Sequence, residues 1–442
     1  MAQGGGLLYR FADMIVSFGA EQDEAARWPS RRQGLYDGPW GSGRTPADRQ
    51  IEHKGGAIVR VSPDDVSEGC EPLLHTERVG AWNLWALGEL HGYAPENAGA
   101  ATGKISRSEP DSHGGRTARL LRAFARDLAQ SRERPAALNG RFLLLALDGR
   151  TGHWHVWTDR FGTIHGYYGR RGNRAAVGSF SPAVARAVGA RTLDWLGLAG
   201  YFATACFFEA HTHFEEVEIL RPATHYTFGR DGRLLSAGRY WDWRHDPDPT
   251  RSFEDTLAAF DRAFRDAVDD LSAGVSIALP VSGGLDSRTN AAALTRRGSA
   301  AFSERRVWAY SYGYGPRSSE TRVARQVAAA RSIPFRAFEV PQYLFDRLDA
   351  TTATMEGFQD VTLPRQIGMI EEVGERTGYV MPGHWGGAWF GDFGFARVRA
   401  QPGGPPPSEG TRMRCSISCG DGAVTGCLID YPPGGSQPMP GR

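Results

Sequence analysis

Between residues 117 and 130 the chain reads TARLLRAFARDLAQ, which sets Leu120, Leu121, Phe124 and Leu128 on one face of a predicted helix. On either side the rhythm shortens. WNLWALGELHGY (82–93) predicts a strand ending in a turn, GRFLLLALDG (140–149) a buried strand closed by Asp-Gly, and GHWHVWTDRFG (152–162) its hairpin partner. Strands that follow one another with few helices between them predict a layered α+β domain. The first 75 residues are polar, rich in Gly, Arg and Asp and weakly periodic, which predicts a poorly defined N-terminal segment.

A different rhythm follows DWRHDPDPTRSF (242–253), whose prolines and mixed charge read as a linker. Phe253, Leu257, Phe260, Phe264, Ala267 and Leu271 recur at helical spacing and predict an amphipathic helix that opens a second domain. Strands then alternate with helices: VSIALPV (275–281), helix RTNAAALTRRG (288–298), RVWAYSYG (306–313), helix SETRVARQVAAARS (319–332), and PFRAFEV (334–340). That order predicts a parallel, helix-covered sheet. Beyond Arg397, AQPGGPPPSEG and YPPGGSQPMPGR cannot build a core. Residues 397–442 are expected to be a low-complexity tail, genuine or the product of a frame change, and the α/β domain to be truncated.

A chain of 442 residues carries two domains as the prior expectation. The formal net charge of +1 gives no electrostatic reason to expect nucleic acid or an anionic membrane as partner. No apolar run approaches the roughly 18 residues of a spanning helix, and MAQGGGLLYRFADM lacks the layout of a secretory signal. Five cysteines (Cys70, Cys206, Cys415, Cys419 and Cys427) form an odd, sparse set, so a reduced, cytoplasmic protein is expected. Cys415 and Cys419 resemble half a metal clip with no second half, and unpaired thiols are the plainer reading. His153 and His155 lie two apart on one strand and share a face, as a metal pair or a solvated strand face would.

The candidate chemistry lies in LPVSGGLDSRTNAAAL (279–294): a strand, a glycine-rich turn, a helix. Two glycines let the backbone approach an anion, and the helix start offers unpaired N–H groups and a positive dipole end. Ser282 and Ser287 can add hydroxyl donors, and Arg288 a fixed charge. An aspartate among anion-binding groups repels phosphate unless a cation intervenes, so Asp286 reads as a Mg²⁺ ligand. The turn lacks the Gly-Lys-Ser/Thr of a Walker loop and the spacing of a dinucleotide fingerprint. A glycine-rich turn at the end of a sheet strand is the bland alternative.

SGGLDS after an apolar strand resembles the pyrophosphate (PP) loop of the asparagine synthetase family. The likeness runs in order over roughly residues 80–395. LGELHGY (87–93), LNGRFLLLALD (138–148), DRFGTIHGYYG (159–169), LRPATHYTF and RYWDW resemble its class II glutamine amidotransferase domain. SYGYG, SSETRVARQVA, MEGFQDVTLPR and MPGHWGGAWFGDFG resemble its ATP pyrophosphatase domain. The resemblance implies an α+β layered, Ntn-hydrolase-like domain over 76–242 and an α/β parallel-sheet PP-loop domain over 252–396. It implies ATP and Mg²⁺, a carboxylate activated as acyl-adenylate with release of pyrophosphate, and aminolysis of that adenylate by ammonia or an amine. Residue by residue, Ser282, Gly283, Gly284, Asp286 and Ser287 would hold pyrophosphate and metal. Val281 and Tyr312 would flank the adenosine, Pro382 and Gly383 would close over it, and Glu320 is a weaker candidate.

Several positions depart from the family pattern. The family's N-terminal catalytic cysteine is Ala2 here, and Cys70 is internal and lacks a free α-amine. Its oxyanion-stabilising Asn before Gly-Glu is Leu87, which has no donor. Loss of glutaminase activity is therefore expected, with Gly88 and Glu89 retained on a scaffold. In the closing loop His384 replaces the first acid and the other two are gone, so His384 reads as a proton carrier or a structural histidine, with Asp360 or Asp392 as substitute carboxylate. No lysine follows Lys104 to stabilise departing pyrophosphate, so an arginine would have to. Three functions remain open. The first is an asparagine-synthetase-like ligase using ammonia or an amine. The second is intramolecular amide closure like that of β-lactam synthetases and lasso-peptide cyclases, and the third a non-catalytic nucleotide-binding homologue. The partners implied are a small carboxylate and an amine or ammonia, and a homodimer is one assembly the chain could form.

Overall fold

The computed structural model describes residues 13–19, 50–54, 56–62, 73–93, 113–243, 246, 248–296, 302, 306–315, 318–358, 360–377, 379–383, 413–415 and 427–429. The first half contains β1 (Asp13–Phe18), β2 (Gln50–Lys54), β3 (Ala57–Ser62), β4 (Leu74–Val79), β5 (Trp82–Tyr93), α1 (His113–Ala129), β6 (Leu138–Asp148) and β7 (His153–Thr158). It continues with β8 (Tyr167–Arg171), β9 (Arg174–Gly178), α2 (Ser181–Val188), α3 (Trp195–Thr204), β10 (Val217–Ile219), β11 (Thr224–Phe228) and β12 (Leu234–Arg239). The strands form two six-stranded antiparallel sheets, ordered β10-β8-β9-β1-β3-β2 and β12-β11-β7-β6-β5-β4.

The sheets face each other across Met14, Val16, Phe18 and Val59 on one side and Trp85, Leu143, Leu145, Trp154 and Phe228 on the other. On the outer face of the second sheet α1 buries Leu121, Phe124 and Leu128, and on that of the first α2 buries Ala183, Val184 and Ala187. Helix, sheet, sheet, helix is the Ntn-hydrolase-like layering expected from the motifs. Two expectations need correction. The poorly defined segment 1–75 contributes β1 and β3 to the interior of the first sheet, with all six positions of DMIVSF buried. A short strand covered on both faces has no alternation to reveal it. The turn expected at the end of 82–93 is also absent: β5 runs straight to Tyr93, with a register shift between Leu90 and Gly92.

In the second half α4 (Phe253–Ser272), β13 (Ile277–Pro280), α5 (Leu285–Leu294), β14 (Val307–Gly313), α6 (Ser319–Ala330), β15 (Phe335–Glu339), α7 (Leu348–Met355), α8 (Ile370–Gly374) and β16 (Tyr379–Val380) follow one another. The sheet order is β15-β14-β13-β16 and every pairing is parallel. One face carries α5 and α6 through Ala291, Leu294, Ala324 and Ala328, the other Met369 and Val373. The apolar face expected of α4 is correct as a helix face but is not buried throughout. Phe264 and Val268 meet the sheet, while Phe253, Leu257, Phe260 and Leu271 stay exposed. Periodicity marks an apolar stripe without saying what covers it. Residues up to Gly383 form one compact unit. Of the second, His384–Arg442, the described part is an antiparallel pair, β17 (Met413–Cys415) and β18 (Cys427–Ile429). No helix among the described residues is long and apolar enough to cross a membrane.

At His155 the face shared with His153 is not a solvated one. His155 Nδ1 lies 3.0 Å from His225 Nε2 across β7 and β11, and the His225 ring stacks on Trp157 at 4.4 Å. Trp82 and Trp157 flank His155 at 5.2 and 5.7 Å. Among the described residues no group of three or more His, Cys, Asp or Glu is placed to hold a metal. Burial pushes both imidazoles down to about 4, with Asp148 opposing the shift of His155 and His153 adding to it. A folded pKa below the unfolded value near 6.5 means the unfolded chain binds more protons in between. The stabilisation is therefore complete above about pH 6.5 and is lost as pH falls toward 4, by at most roughly 3 kcal/mol per ring. Urea midpoints at pH 7.5 and 5.0 check this. The double variant H155F/H225F should lose much of the wild-type drop, and an unchanged drop would assign the acid sensitivity to carboxylates alone.

Candidate functional site

A sheet ordered β15-β14-β13-β16 reverses direction at β13, where the chain adds β14 and β15 on one side and β16 on the other. Open parallel sheets bind ligands in the crevice beyond the carboxyl ends of the strands at such a switch point. Two segments emerge there: Val281–Gly284 from β13 and Met381–Gly383 from β16. Val281 is buried and donates its N–H to Tyr310 O at 2.8 Å, which extends the pairing one residue past β13.

The loop is held from inside by its two serines. The buried Ser287 Oγ accepts from Ser282 N at 3.1 Å and lies 3.1 Å from Ser282 Oγ, which in turn accepts from Gly284 N at 3.1 Å. These bonds shape the turn and leave Gly283 and Gly284 exposed on its outer side. Gly284 is the N-cap of α5, and as a glycine it contributes no side-chain cap of its own. Asp286 sits half-buried in that first turn, and Arg288 Nε donates to Gly284 O at 3.2 Å. A β-carbon on Gly283 would meet only Val323 Cγ1 at 3.7 Å.

Against this turn lies the segment after β16. Asn290 Nδ2 donates to Pro382 O at 3.1 Å, and a β-carbon on Gly383 would stand 2.4 Å from Ser287 N. The structure thus brings Val281, Ser282, Gly283, Gly284, Asp286, Ser287, Pro382 and Gly383 together. Tyr312 is half-buried near the end of β14, the strand next to β13. Glu320 is exposed in the first turn of α6, after the Ser318 cap. Asp360 is exposed, and the N–H and hydroxyl of Thr362 lower its pKa. His384 and Asp392 lie outside the described residues, as do Ala2, Cys70 and Cys419.

Sequence reasoning missed Asn290 in the crevice and two side chains packed on β14 and the residue after it. Asn290 ties the two segments of the crevice together. Gln366 Oε1 accepts from Tyr310 OH at 2.6 Å, and the Arg365 guanidinium lies over the exposed Tyr314 ring at 5.8 Å. Their signal was the GYG run that begins at the last residue of β14, where a β-carbon on Gly313 would meet Ser318 Cβ at 2.5 Å. The arginine partner comes from some 50 residues away and has no local signature.

In the first half, Leu87 is buried between the sheets. Gly88 adopts φ +102 and donates to Leu73 O at 2.7 Å, and Glu89 pairs with Arg141 at 2.9 Å. The Asp-Arg-Phe-Gly turn is organised by the fully buried Asp159. Its carboxylate accepts the N–H groups of Phe142 (3.2 Å), Phe161 (2.9 Å), Thr163 (3.0 Å) and Ile164 (3.1 Å). That is a structural post, with its acceptor capacity consumed by backbone.

Among solved structures the chain is similar to the glutamine phosphoribosylpyrophosphate amidotransferase of B. subtilis complexed with ADP and GMP. Identity is 11%, over 78% of this chain and 92% of that one, with a TM-score of 0.29. A structure titled as the allosteric regulatory enzyme of purine biosynthesis matches at 11% identity and a TM-score of 0.29, over 74% and 80% of the two chains. Likenesses this distant carry no inference about activity. No curated protein matches the chain. Residues 259–370, which hold the serine-glycine loop, match the family described as asparagine synthase. The segment similar to asparagine synthase thus contains the glycine-rich loop at the switch point of the parallel sheet.

Proposed function

We propose that the chain is an ATP-dependent amide-forming ligase of the asparagine synthase type, working without a glutaminase step of its own. The observation that carries the reading is the loop 281–287, which opens α5 at the switch point of the sheet with both its glycines exposed. The residues fit a triphosphate: exposed glycines admit it closely, the start of α5 offers its positive dipole end, and Ser282 and Ser287 stiffen the cradle. Magnesium suits the same place, because that ion commonly takes one or two carboxylates plus phosphate oxygens, and Asp286 is the carboxylate in the first turn. Bound there, it would neutralise charge on the phosphate oxygens.

The reaction class is attack of a small carboxylate on the α-phosphate with pyrophosphate leaving, followed by displacement of AMP by ammonia or another amine. Leu87, buried and without a donor, and Glu89, engaged by Arg141, support the absence of glutamine hydrolysis. An intramolecular amide closure uses the same site and differs only in the acceptor. Pyrophosphate exchange tests the reading. Mg-ATP, labelled pyrophosphate and a panel of carboxylates should return label to ATP with one of them. Asp286→Asn should weaken Mg-ATP binding at least tenfold, on the order of 1.4 kcal/mol, and abolish exchange. A wild-type chain with neither exchange nor ATP protection against thermal unfolding would leave the non-catalytic reading.

A further inference from the structure

Three consecutive residues of the synthase half are seated in the amidotransferase-like half. α7 ends at Met355, its C-cap Glu356 adopts φ +55, and Gly357 follows at φ +74. A left-handed glutamate costs energy and persists where its surroundings hold it. Here its carboxylate accepts the Ser181 N–H at 2.7 Å, at the start of α2. That helix follows Phe180, which supplies no side-chain cap, so Glu356 provides it from 175 positions along the chain. His213 Nε2 lies 3.2 Å from Gly357 O, and a β-carbon at 357 would approach that nitrogen to 3.0 Å. The Phe358 ring enters a nest of Tyr167 (5.7 Å), Phe207 (5.1 Å) and His213 (5.1 Å).

The other end of this short span reaches the nucleotide sheet. Tyr343 OH donates to Thr362 O at 2.8 Å, Gln366 receives Tyr310 OH, and Arg365 covers Tyr314 just beyond β14. Residues 356–366 therefore run from a seat on the first half to β14 and the segments that follow β14 and β15.

We propose that Glu356 is a positioning residue. By capping α2 of the first half it fixes where the 360–366 segment packs on β14, the strand beside the loop-bearing β13, which is work the amidotransferase-like half performs without hydrolysing glutamine. This rests on the ligase reading for its consequence but not for its geometry. It predicts that strain relief and cap loss can be separated in the full chain. Glu356→Gly removes the cap while suiting the left-handed backbone, and Glu356→Gln keeps an acceptor oxygen. Amide hydrogen exchange in E356G should rise at least tenfold both at 181–184 and at 360–366. The carboxylate KM in pyrophosphate exchange should rise at least fivefold, with ATP affinity within twofold of wild type. E356Q should stay within twofold of wild type on each measure. Faster exchange confined to 181–184 would make Glu356 a cap and nothing more, and the proposal would fall. If the wild type shows no ATP turnover while exchange at 360–366 still follows the Glu356 cap, the ligase reading fails and the coupling stands.

Discussion

Gly88→Ala is expected to cost about 4 kcal/mol or more and to lower the unfolding midpoint by roughly 10 °C. Gly88 lies in β5 opposite Phe142 with φ +102, a conformation L residues rarely adopt. An alanine β-carbon would stand 2.1 Å from Arg141 O, 3.1 Å from its carbonyl carbon and 3.2 Å from Ile164 Cγ1. The first two are backbone of the neighbouring strand, so no rotamer change relieves them. Gly140 makes the reciprocal approach: a β-carbon there would meet Glu89 O at 2.2 Å. The pair lets β5 and β6 pass closely beside the β5 irregularity, and the sheets on either side depend on that pairing. Gly80→Ala is the control. Its φ of +59 is also left-handed, but nothing lies within 4 Å, so only the backbone term of about 1 kcal/mol applies. Chemical unfolding of both variants decides the matter. Equal losses would show that conformation, not contact with Arg141, makes glycine necessary at 88.

The same residue marks the limit of reading the chain as a string. LGELHGY was legible as a motif, read as the end of a strand running into a turn, with Gly88 inside it. The structure uses that glycine inside a continuous strand, because the constraint comes from Arg141 across the sheet and not from a change of direction. β1 was hidden for a related reason. DMIVSF is buried at every position between a second sheet and a helix layer, so it shows neither alternation nor helical spacing. The alternating half was more legible: β13, α5, β14, α6 and β15 fall within a few residues of their expected spans. Each is long enough, and punctuated sharply enough by glycine or proline, to carry its own signal.

The site divides along the same line. Ser282 to Ser287 could be read because the anion cradle is local: one turn supplies the glycines, the hydroxyls and the helix start. Asn290, Gln366 and the Glu356 seat could not, since each acts through a partner 56 to 175 positions away. The two histidines of β7 show the opposite error. Spacing alone placed them on one face, and only the pairing of β7 with β11 revealed that His225 and Trp157 enclose that face.

Gly383→Ala is expected to weaken ATP binding about 100-fold, or ~2.7 kcal/mol, with a smaller loss of fold stability. The Gly383 backbone lies flat on the first turn of α5. A β-carbon would meet Ser287 N at 2.4 Å, Asp286 C at 2.7 Å and Ser287 Cα at 2.7 Å. All three are backbone atoms of the turn proposed to hold phosphate and metal, so relief requires that the segment after β16 and the helix start move apart. Such a shift also breaks the Asn290–Pro382 hydrogen bond that spans the crevice. It displaces the first-turn amides from the geometry fixed by Ser282 and Ser287. Overpacking of this kind typically costs 1–3 kcal/mol, and the sheet itself, held by Ile277, Leu279 and Ala309 in the core, should survive it. Gly283→Ala separates folding from binding, since its β-carbon reaches only ordinary contact with Val323 at 3.7 Å. Its melting temperature without nucleotide should match the wild type. Calorimetric titration of Mg-ATP into the Gly383 variant is the deciding measurement. An affinity within threefold of wild type would mean that the close approach of Gly383 to Ser287 is packing alone, and that the nucleotide cradle lies elsewhere.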